Sequence, residues 1–396
     1  MDSVQKMLEA KLGNRSLVIY GFGVTGKWLA GNFRTTYFVD TDIKKEGSHF
    51  LGVPVLRPQI LTNLDSNKYL VVVTVVDLFD VVSILNHLQC EWTSLYHFLD
   101  GGPLDSLGIN TTGETDGFVR YSLDTVLECQ RMHYDPTKFY LRSVDVVITE
   151  KCSLRCIDCA NLMQFYDKPK NFELIDIVAG VINLASKVDW ISELRIIGGE
   201  PFMNKEIYTV IKQLSEIPNV GRCVIYTNGM IVPKDTELRS LSKDRVLFSI
   251  TDYGELGRNL SKTITVLSEG GFNFRVHPPE HWTDSGRILD EELTKDQATE
   301  LFAKCCGKNL FTLIADRLYR CPFAANADQL AAIPSDSANL VRVTEERDSI
   351  KTYTYGLSYI EACRRCPGRS FDAPIIQPAK QSKQPLSYKK WSVLLE

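Results

Sequence analysis

Long apolar runs, an excess of one charge and a spread of paired cysteines are all lacking here. The longest apolar stretch, Tyr69 to Val73 continuing through Val75 and Val76 past Thr74, is too short to span a bilayer. Its β-branched content predicts a buried strand instead. Basic and acidic residues number 45 and 49, a net charge of -4, so no general basic field exists for nucleic acid or anionic lipid. Met1 to Leu12 has charges spread through it and no apolar h-region, which excludes a signal peptide there. The eleven cysteines fall in groups instead of a disulfide framework, which points to a reducing compartment and cytoplasmic residence, without a membrane or nucleic-acid partner. With 396 residues, 44% hydrophobic and 24% charged, the chain is long enough for two or three globular domains.

The most informative stretch is Cys152-Ser153-Leu154-Arg155-Cys156-Ile157-Asp158-Cys159, just after the β-branched run Val146 to Thr149. Three thiolates spaced C-x3-C-x2-C can hold three irons of a four-iron four-sulfur (4Fe-4S) cubane and leave the fourth open. Structural zinc wants four ligands, and only Cys129 and His133 lie within about twenty-five residues. That pair sits at i, i+4 and is better explained by packing.

This spacing resembles the signature of the radical S-adenosylmethionine (SAM) family. The resemblance implies that the open iron chelates SAM and that electron transfer splits it to a 5′-deoxyadenosyl radical. Gly198-Gly199-Glu200-Pro201 after the strand-like Leu194 to Ile197 resembles the family's GGEP loop, which implies that it holds the methionyl amine. Thr227-Asn228-Gly229 resembles its TNG turn, and Ser249 and Asp252 fall where the family places polar SAM contacts. One departure is Asp158, where the family usually carries an aromatic near adenine.

From about residue 144 to 300, strands alternate with helices, which predicts an α/β fold with a parallel sheet. Leu174, Ile177, Val178, Val181, Ile182 and Ala185 share one helical face, and Ile207, Val210, Ile211 and Leu214 another. Strands are expected at Leu194–Ile197, Cys223–Tyr226, Val246–Ile250 and Phe272–Val276. The family resemblance implies a partial (β/α)6 barrel with its site at the carboxyl ends of the strands.

Residues 301 to 372 hold a second cysteine group around an expected hairpin, Leu310 to Ile314 and Leu318 to Arg320. One of Cys305 and Cys306, with Cys306 preferred, joins Cys321, Cys363 and Cys366 in a four-thiolate set. The order resembles the twitch domain, a shortened SPASM domain, which implies one auxiliary 4Fe-4S cluster; structural zinc is the alternative.

Residues 1 to about 100 read as a separate α/β unit. Strand Ser16 to Tyr20, the turn Gly21-Phe22-Gly23-Val24-Thr25-Gly26, a helix and a strand ending at Asp40 make the dinucleotide-fold pattern. With Gly47, Gly52 and Pro54 following, it resembles the Rossmann-like domains of bacterial surface-sugar enzymes, some of which hold a nucleotide-sugar. Residues 101 to 143 are expected to be a turn-rich linker, including Gly101-Gly102-Pro103, and a lead-in helix over Leu123 to Met132. The tail, 373 to 396, reads as a surface-wrapping segment whose lysines are solvated.

Together these expectations describe an oxidoreductase or epimerase acting on a sugar or nucleotide-sugar in polysaccharide or related carbohydrate biosynthesis, fed electrons by flavodoxin or ferredoxin. Pocket candidates are Arg275 and His277 at the end of the last expected strand, and the loop His281-Trp282-Thr283-Asp284. Peptide maturation is an alternative, though no winged-helix peptide module is legible. A non-enzymatic redox sensor is a third reading.

Overall fold

The computed structural model describes residues 9–62, 64–99, 116–279, 282–370 and 373–391. It divides into two units, Met1–Arg142 and Ser143–Glu396. Among the described residues no helix is long and apolar enough to cross a membrane.

In the first unit, strands β1 (Ser16–Tyr20), β2 (Thr35–Val39), β3 (His49–Phe50), β4 (Val53–Leu56), β5 (Tyr69–Val73) and β6 (Trp92–Ser94) form one sheet in the order β3-β4-β2-β1-β5-β6. All pairings are parallel except β3 with β4. The strands read as near-continuous apolar runs because both faces are covered. Leu17, Ile19, Phe38, Val55 and Val72 pack on one side with Trp28 and Leu29. Val18, Tyr20, Val39, Val71 and Val73 pack on the other with Leu78, Val81 and Leu85.

The expected lead-in helix is longer than its sequence signal and has a different place. It spans Asp116–His133, and its stripe Val119, Leu123 and Val126 is buried in the first unit's core. Buried Gln130 fixes it there, donating to the Val73 and Val75 carbonyls at 3.0 and 2.9 Å and accepting from the Tyr96 N–H at 3.0 Å. The expected turn-rich linker lies outside the described residues. His133 packs edge-on against Phe79 at 4.6 Å, which accounts for it as a packing residue.

The second unit is built on β7 (Tyr140–Thr149), β8 (Trp190–Gly198), β9 (Val220–Thr227), β10 (Val246–Thr251) and β11 (Asn273–His277), followed by β12 (Trp282–Thr283), β13 (Phe311–Ile314), β14 (Arg317–Tyr319), β15 (Leu340–Arg342) and β16 (Ile375–Ile376). The main sheet runs β11-β10-β9-β8-β7-β13-β14-β15. Helices Leu174–Lys187 and Ile207–Ser215 cover it; the first buries Ile177, Val181 and Ala185 of the expected face together with Leu184, while Ile182 is exposed, and the second buries Ile207, Val210, Ile211 and Leu214 as expected. The fold is mixed α/β with a parallel sheet, as expected.

The expected hairpin forms, but it does not stand as a separate small domain. Strand β13 pairs parallel with β7, Thr312 opposite Asp145, and so continues the same sheet; β14 and β15 then turn antiparallel. Gly180 permits the close seat of the covering helix, because a Cβ there would lie 1.9 Å from the Ala315 carbonyl oxygen in the hairpin turn.

Candidate active site

Parallel strands of the second unit run into the loops that the sequence singled out. The cysteine loop follows β7, Gly199 and Glu200 follow β8, Asn228 follows β9, and Asp252 follows β10. These are carboxyl ends of parallel strands, where α/β proteins gather their sites.

Glycine makes the gathering close. A Cβ on Gly198 would stand 2.2 Å from the Thr149 carbonyl oxygen, and one on Gly199 2.3 Å from that of Lys151. The space is used by hydrogen bonds, Gly199 N–H to Thr149 O at 3.1 Å and Glu200 N–H to Lys151 O at 2.8 Å. Pro201 opens the short helical turn that follows.

Glu200 is fully buried. Its carboxylate accepts from Thr227 Oγ1 and the Asn228 N–H, both at 2.8 Å, and from the Phe202 N–H at 3.3 Å. Burial still pushes its carboxyl up to about 7 against those bonds. Three of its roughly four acceptor positions are filled, which ties the GGEP and TNG loops together and leaves room for about one donor from a ligand. Asn228 continues the chain of contacts, donating to Ser153 Oγ at 3.0 Å with its Nδ2 3.8 Å from Cys152 Sγ.

The thiols of Cys152, Cys156 and Cys159 lie within electrostatic reach of one another, and burial pushes each up, Cys156 to about 11. Buried thiols of this kind ionise when positive charge arrives with a bound metal group, which an iron-sulfur cluster supplies. The donor set therefore fits such a cluster. Tyr253 is half-buried within electrostatic reach of the same three thiols and packs edge-on against Trp282 at 6.3 Å. It brings an aromatic ring to the thiols from another strand end, on a loop remote in sequence from Asp158. Asp252 accepts from the Gly254 N–H at 2.8 Å.

Charged and polar side chains of neighbouring strands form a network that the sequence reading largely missed. Arg195 on β8 is bonded through Nε to Oδ1 of buried Asp145 on β7, and its guanidinium lies 5.2 Å from the centre of the Tyr226 ring on β9. Burial opposes the Arg195 charge, but Asp145 beside it holds the group firmly protonated. Asp145 Oδ2 is buried without a hydrogen-bond partner. Glu193 is only 4% exposed, and burial pushes its carboxyl up to about 7 although Arg195 and Arg275 pull it down. On β10 and β11, Arg275 Nε donates to Ser249 Oγ at 3.3 Å, and the same oxygen lies 3.3 Å from His277 Nε2. His277 Nδ1 lies 2.9 Å from the Pro278 carbonyl, which assigns the proton to Nδ1 and makes Nε2 the acceptor from Ser249. The available signal was charge inside parallel strands, where buried runs are ordinarily apolar.

Of the pocket candidates, Arg275 and His277 come together with Ser249, and Asp284 does not join them. Its carboxylate pairs with Arg287, and the two line a separate hollow of about 300 Å³ with Leu301, Lys304 and Arg369. His281 lies outside the described residues. Ser249 itself is 1% exposed and engaged with Arg275 and His277.

In the second cysteine group the thiol that interacts electrostatically with Cys321, Cys363 and Cys366 is that of Cys305. Of the two alternatives left open by the spacing, Cys305 and Cys306, this is not the preferred Cys306. The helix Lys295–Lys304 ends on Cys305, whose sulfur accepts from the Gly307 N–H at 3.3 Å, while the backbone of Cys306 bonds outward to Arg369 O. Cys321 and Cys366 likewise receive N–H groups, from Ala324 at 3.5 Å and Gly368 at 3.4 Å. Burial pushes the Cys321 and Cys363 thiols up to about 12. Among the described residues no group of three or more His, Cys, Asp or Glu side chains closes around a single metal ion.

In the first unit, Gly21 adopts φ 117°, and a Cβ on Gly26 would lie 2.0 Å from the Gly21 carbonyl oxygen, so the turn requires both. Gly23 precedes the helix Val24–Asn32. Asp40, which ends the dinucleotide-fold pattern, makes its contacts within the turn region. It accepts from the Phe22 and Asp42 N–H groups, both at 2.9 Å, and pairs with Lys45 at 3.0 Å.

Residues 146–266, within the second unit, match the model of the Radical SAM superfamily. The cofactors of that family are a 4Fe-4S cluster and SAM. Similar curated proteins include GTP 3′,8-cyclase of Clostridium acetobutylicum, 32% identical over 112 residues, which cover 28% of this chain and 34% of that protein. The GTP 3′,8-cyclase of Petrotoga mobilis is 31% identical over 135 residues, covering 33% and 41% respectively. The chain thus spans less than half the length of these relatives. Similar solved structures include BtrN in complex with AdoMet and 2-DOIA, at TM-score 0.39 and 14% identity over 59% of this chain and 95% of that one. Native anSMEcpe with bound AdoMet gives TM-score 0.35 and 12% identity over 54% and 80%.

Proposed function

We propose that the protein is a radical SAM enzyme acting at a carbon of a sugar or nucleotide-sugar, with dehydrogenation or epimerisation as the outcome. The observation that carries the substrate class is the buried polar network, above all the unpartnered Asp145 Oδ2. A buried acceptor without a donor is costly, and a substrate hydroxyl or amine supplies the donor.

Cys152, Cys156 and Cys159 would hold the cluster, and Gly198, Gly199, Glu200, Pro201, Asn228 and Asp252 would frame SAM beside it. When bound, the two would supply the one-electron radical chemistry needed to take a hydrogen atom from a substrate carbon. Asp145 Oδ2 then orients a hydroxyl, while Arg195 is paired with the other carboxylate oxygen. Glu193, with its carboxyl near neutrality, holds or takes a hydroxyl proton at its carboxylate oxygen. Ser249 fixes the Arg275 and His277 side chains at the edge of the same face.

Cys305, Cys321, Cys363 and Cys366 hold an auxiliary 4Fe-4S cluster, which would supply one-electron exchange and favour dehydrogenation. The N–H groups aimed at three of these sulfurs support thiolate ligation. Flavodoxin or ferredoxin is the proposed electron donor. In the first unit, a nucleotide-sugar at the glycine turn would have to displace contacts already made by Asp40.

A second reading takes a purine nucleotide as substrate, favoured by the relatives named GTP 3′,8-cyclase. The test is 5′-deoxyadenosine formation by the reconstituted full chain with SAM and dithionite, with nucleotide-sugars, aminocyclitols, GTP or peptides added. Stimulation by a sugar class, lost in Asp145→Asn, is expected. Stimulation by GTP alone would support the second reading, and stimulation by peptides alone would sink both. Absence of 5′-deoxyadenosine despite a loaded cluster would favour a redox sensor.

A further inference from the structure

The tail closes over the cysteine loop as an added strand. The Ile157 N–H donates to the Lys380 carbonyl and the Ser382 N–H to the Arg155 carbonyl, both at 2.7 Å, with Cys156 and Gln381 paired antiparallel between them. The segment is anchored on both sides. Strand β16 pairs with β12 before it, and after it Leu386 N–H bonds to Gln164 O at 2.9 Å and Tyr388 OH to Leu330 O at 2.8 Å. Ala379 is held at φ 57°, a left-handed backbone that a non-glycine residue keeps only where its surroundings impose it.

The orientation of the Gln381 amide is fixed by its neighbours. Its Oε1 accepts from the Arg155 N–H at 2.8 Å, and its Nε2 donates to the Ala379 carbonyl at 2.7 Å. With the oxygen so committed, the nitrogen lies 3.2 Å from Cys156 Sγ as an N–H donor to sulfur. Asn228 Nδ2, at 3.8 Å from Cys152 Sγ, is the longer counterpart from the opposite loop.

We infer that Gln381 is a positioning residue for the SAM-binding cluster, donating a hydrogen bond to the Cys156 thiolate that raises the cluster's reduction potential. This rests on the assignment of the cluster to Cys152, Cys156 and Cys159. Reduction adds negative charge that spreads onto the ligand sulfurs, and a donor at sulfur stabilises the reduced state more than the oxidised one. The tail thus eases the electron uptake on which SAM cleavage depends, although it lies more than two hundred residues beyond the cysteine loop.

The experiment is an EPR-monitored redox titration of the anaerobically reconstituted full chain, following the signal that changes when SAM is added. Gln381→Leu removes the donor at similar size. Gln381→Glu keeps an acceptor for the Arg155 N–H and sets a carboxylate against the sulfur. In Gln381→Leu the reduced-to-oxidised ratio at fixed potential is expected to fall about tenfold, a midpoint lower by about 59 mV for one electron. Gln381→Glu is expected to fall further. The midpoint is read on the loaded fraction, so partial loss of iron does not hide it. Unchanged midpoints in both variants would overturn the inference while leaving the cluster assignment intact. A wild-type chain with no SAM-responsive signal, or a signal that survives Cys156→Ala, would overturn the assignment itself and the inference with it.

Discussion

At the residue scale, two carboxyls near neutrality have different work. Glu200 takes three backbone and hydroxyl donors and joins loops, whereas Glu193 has opposing arginines and faces the network. Burial raises the Glu193 carboxyl from 4.5 to about 7, so the folded state binds its proton more tightly than the unfolded chain. The resulting stabilisation is complete below about pH 4.5 and is lost as pH rises through about 7. Glu193→Gln should remove this loss, worth roughly 3 kcal/mol before Arg195 and Arg275 lose their partner. Thermal unfolding of the apo chain from about pH 5 to pH 8 checks this. Variant and wild-type melting curves that shift in parallel with pH would refute it. In the first unit, Asp40→Ala strands two part-buried N–H groups and should cost roughly 1 kcal/mol, read by urea unfolding. No measurable cost would mean that the turn finds other partners.

At the scale of elements, glycine decides how closely loops and helices approach. Gly180→Ala sets a Cβ against the backbone oxygen of Ala315, which cannot rotate away, so the helix Leu174–Lys187 must move off the hairpin. We expect a loss of roughly 1–3 kcal/mol, with an unchanged melting temperature as the refuting result. Gly199→Ala meets the Lys151 carbonyl in the same way, and should abolish the effect of SAM on the cluster signal while most of the iron stays bound. A normal SAM response would show that the GGEP loop tolerates the shift. Element type was largely legible in the sequence, because apolar residues at i, i+3, i+4 specify a helix face whatever it packs against. Partners were less so: the helix Asp116–His133 has a clear apolar stripe, yet nothing local says that this stripe fills the first unit's core.

At the scale of the whole molecule, the two cysteine sets belong to one unit built on one sheet, since β13 continues the strand order beyond β7. Iron analysis of the reconstituted chain should give about eight irons, falling to about four in the Cys152→Ala/Cys156→Ala/Cys159→Ala variant. Cys305→Ser should lower the remaining iron and Cys306→Ser should not. The reverse pattern would make Cys306 the ligand, and about four irons with one zinc would make the second site structural.

What the sequence determined by itself was chemistry carried by contiguous residues. The C-x3-C-x2-C loop, GGEP and TNG are local because each must shape one short backbone segment after one strand, and the same shape recurs wherever that spacing does. What only the tertiary structure decided was chemistry assembled across strands and loops. Asp145, Glu193, Arg195 and Tyr226 meet because parallel register places them on one face, and Gln381 reaches Cys156 because the tail returns to pair with its loop. Such meetings depend on how distant segments pack, and the spacing of residues along the chain holds no record of them.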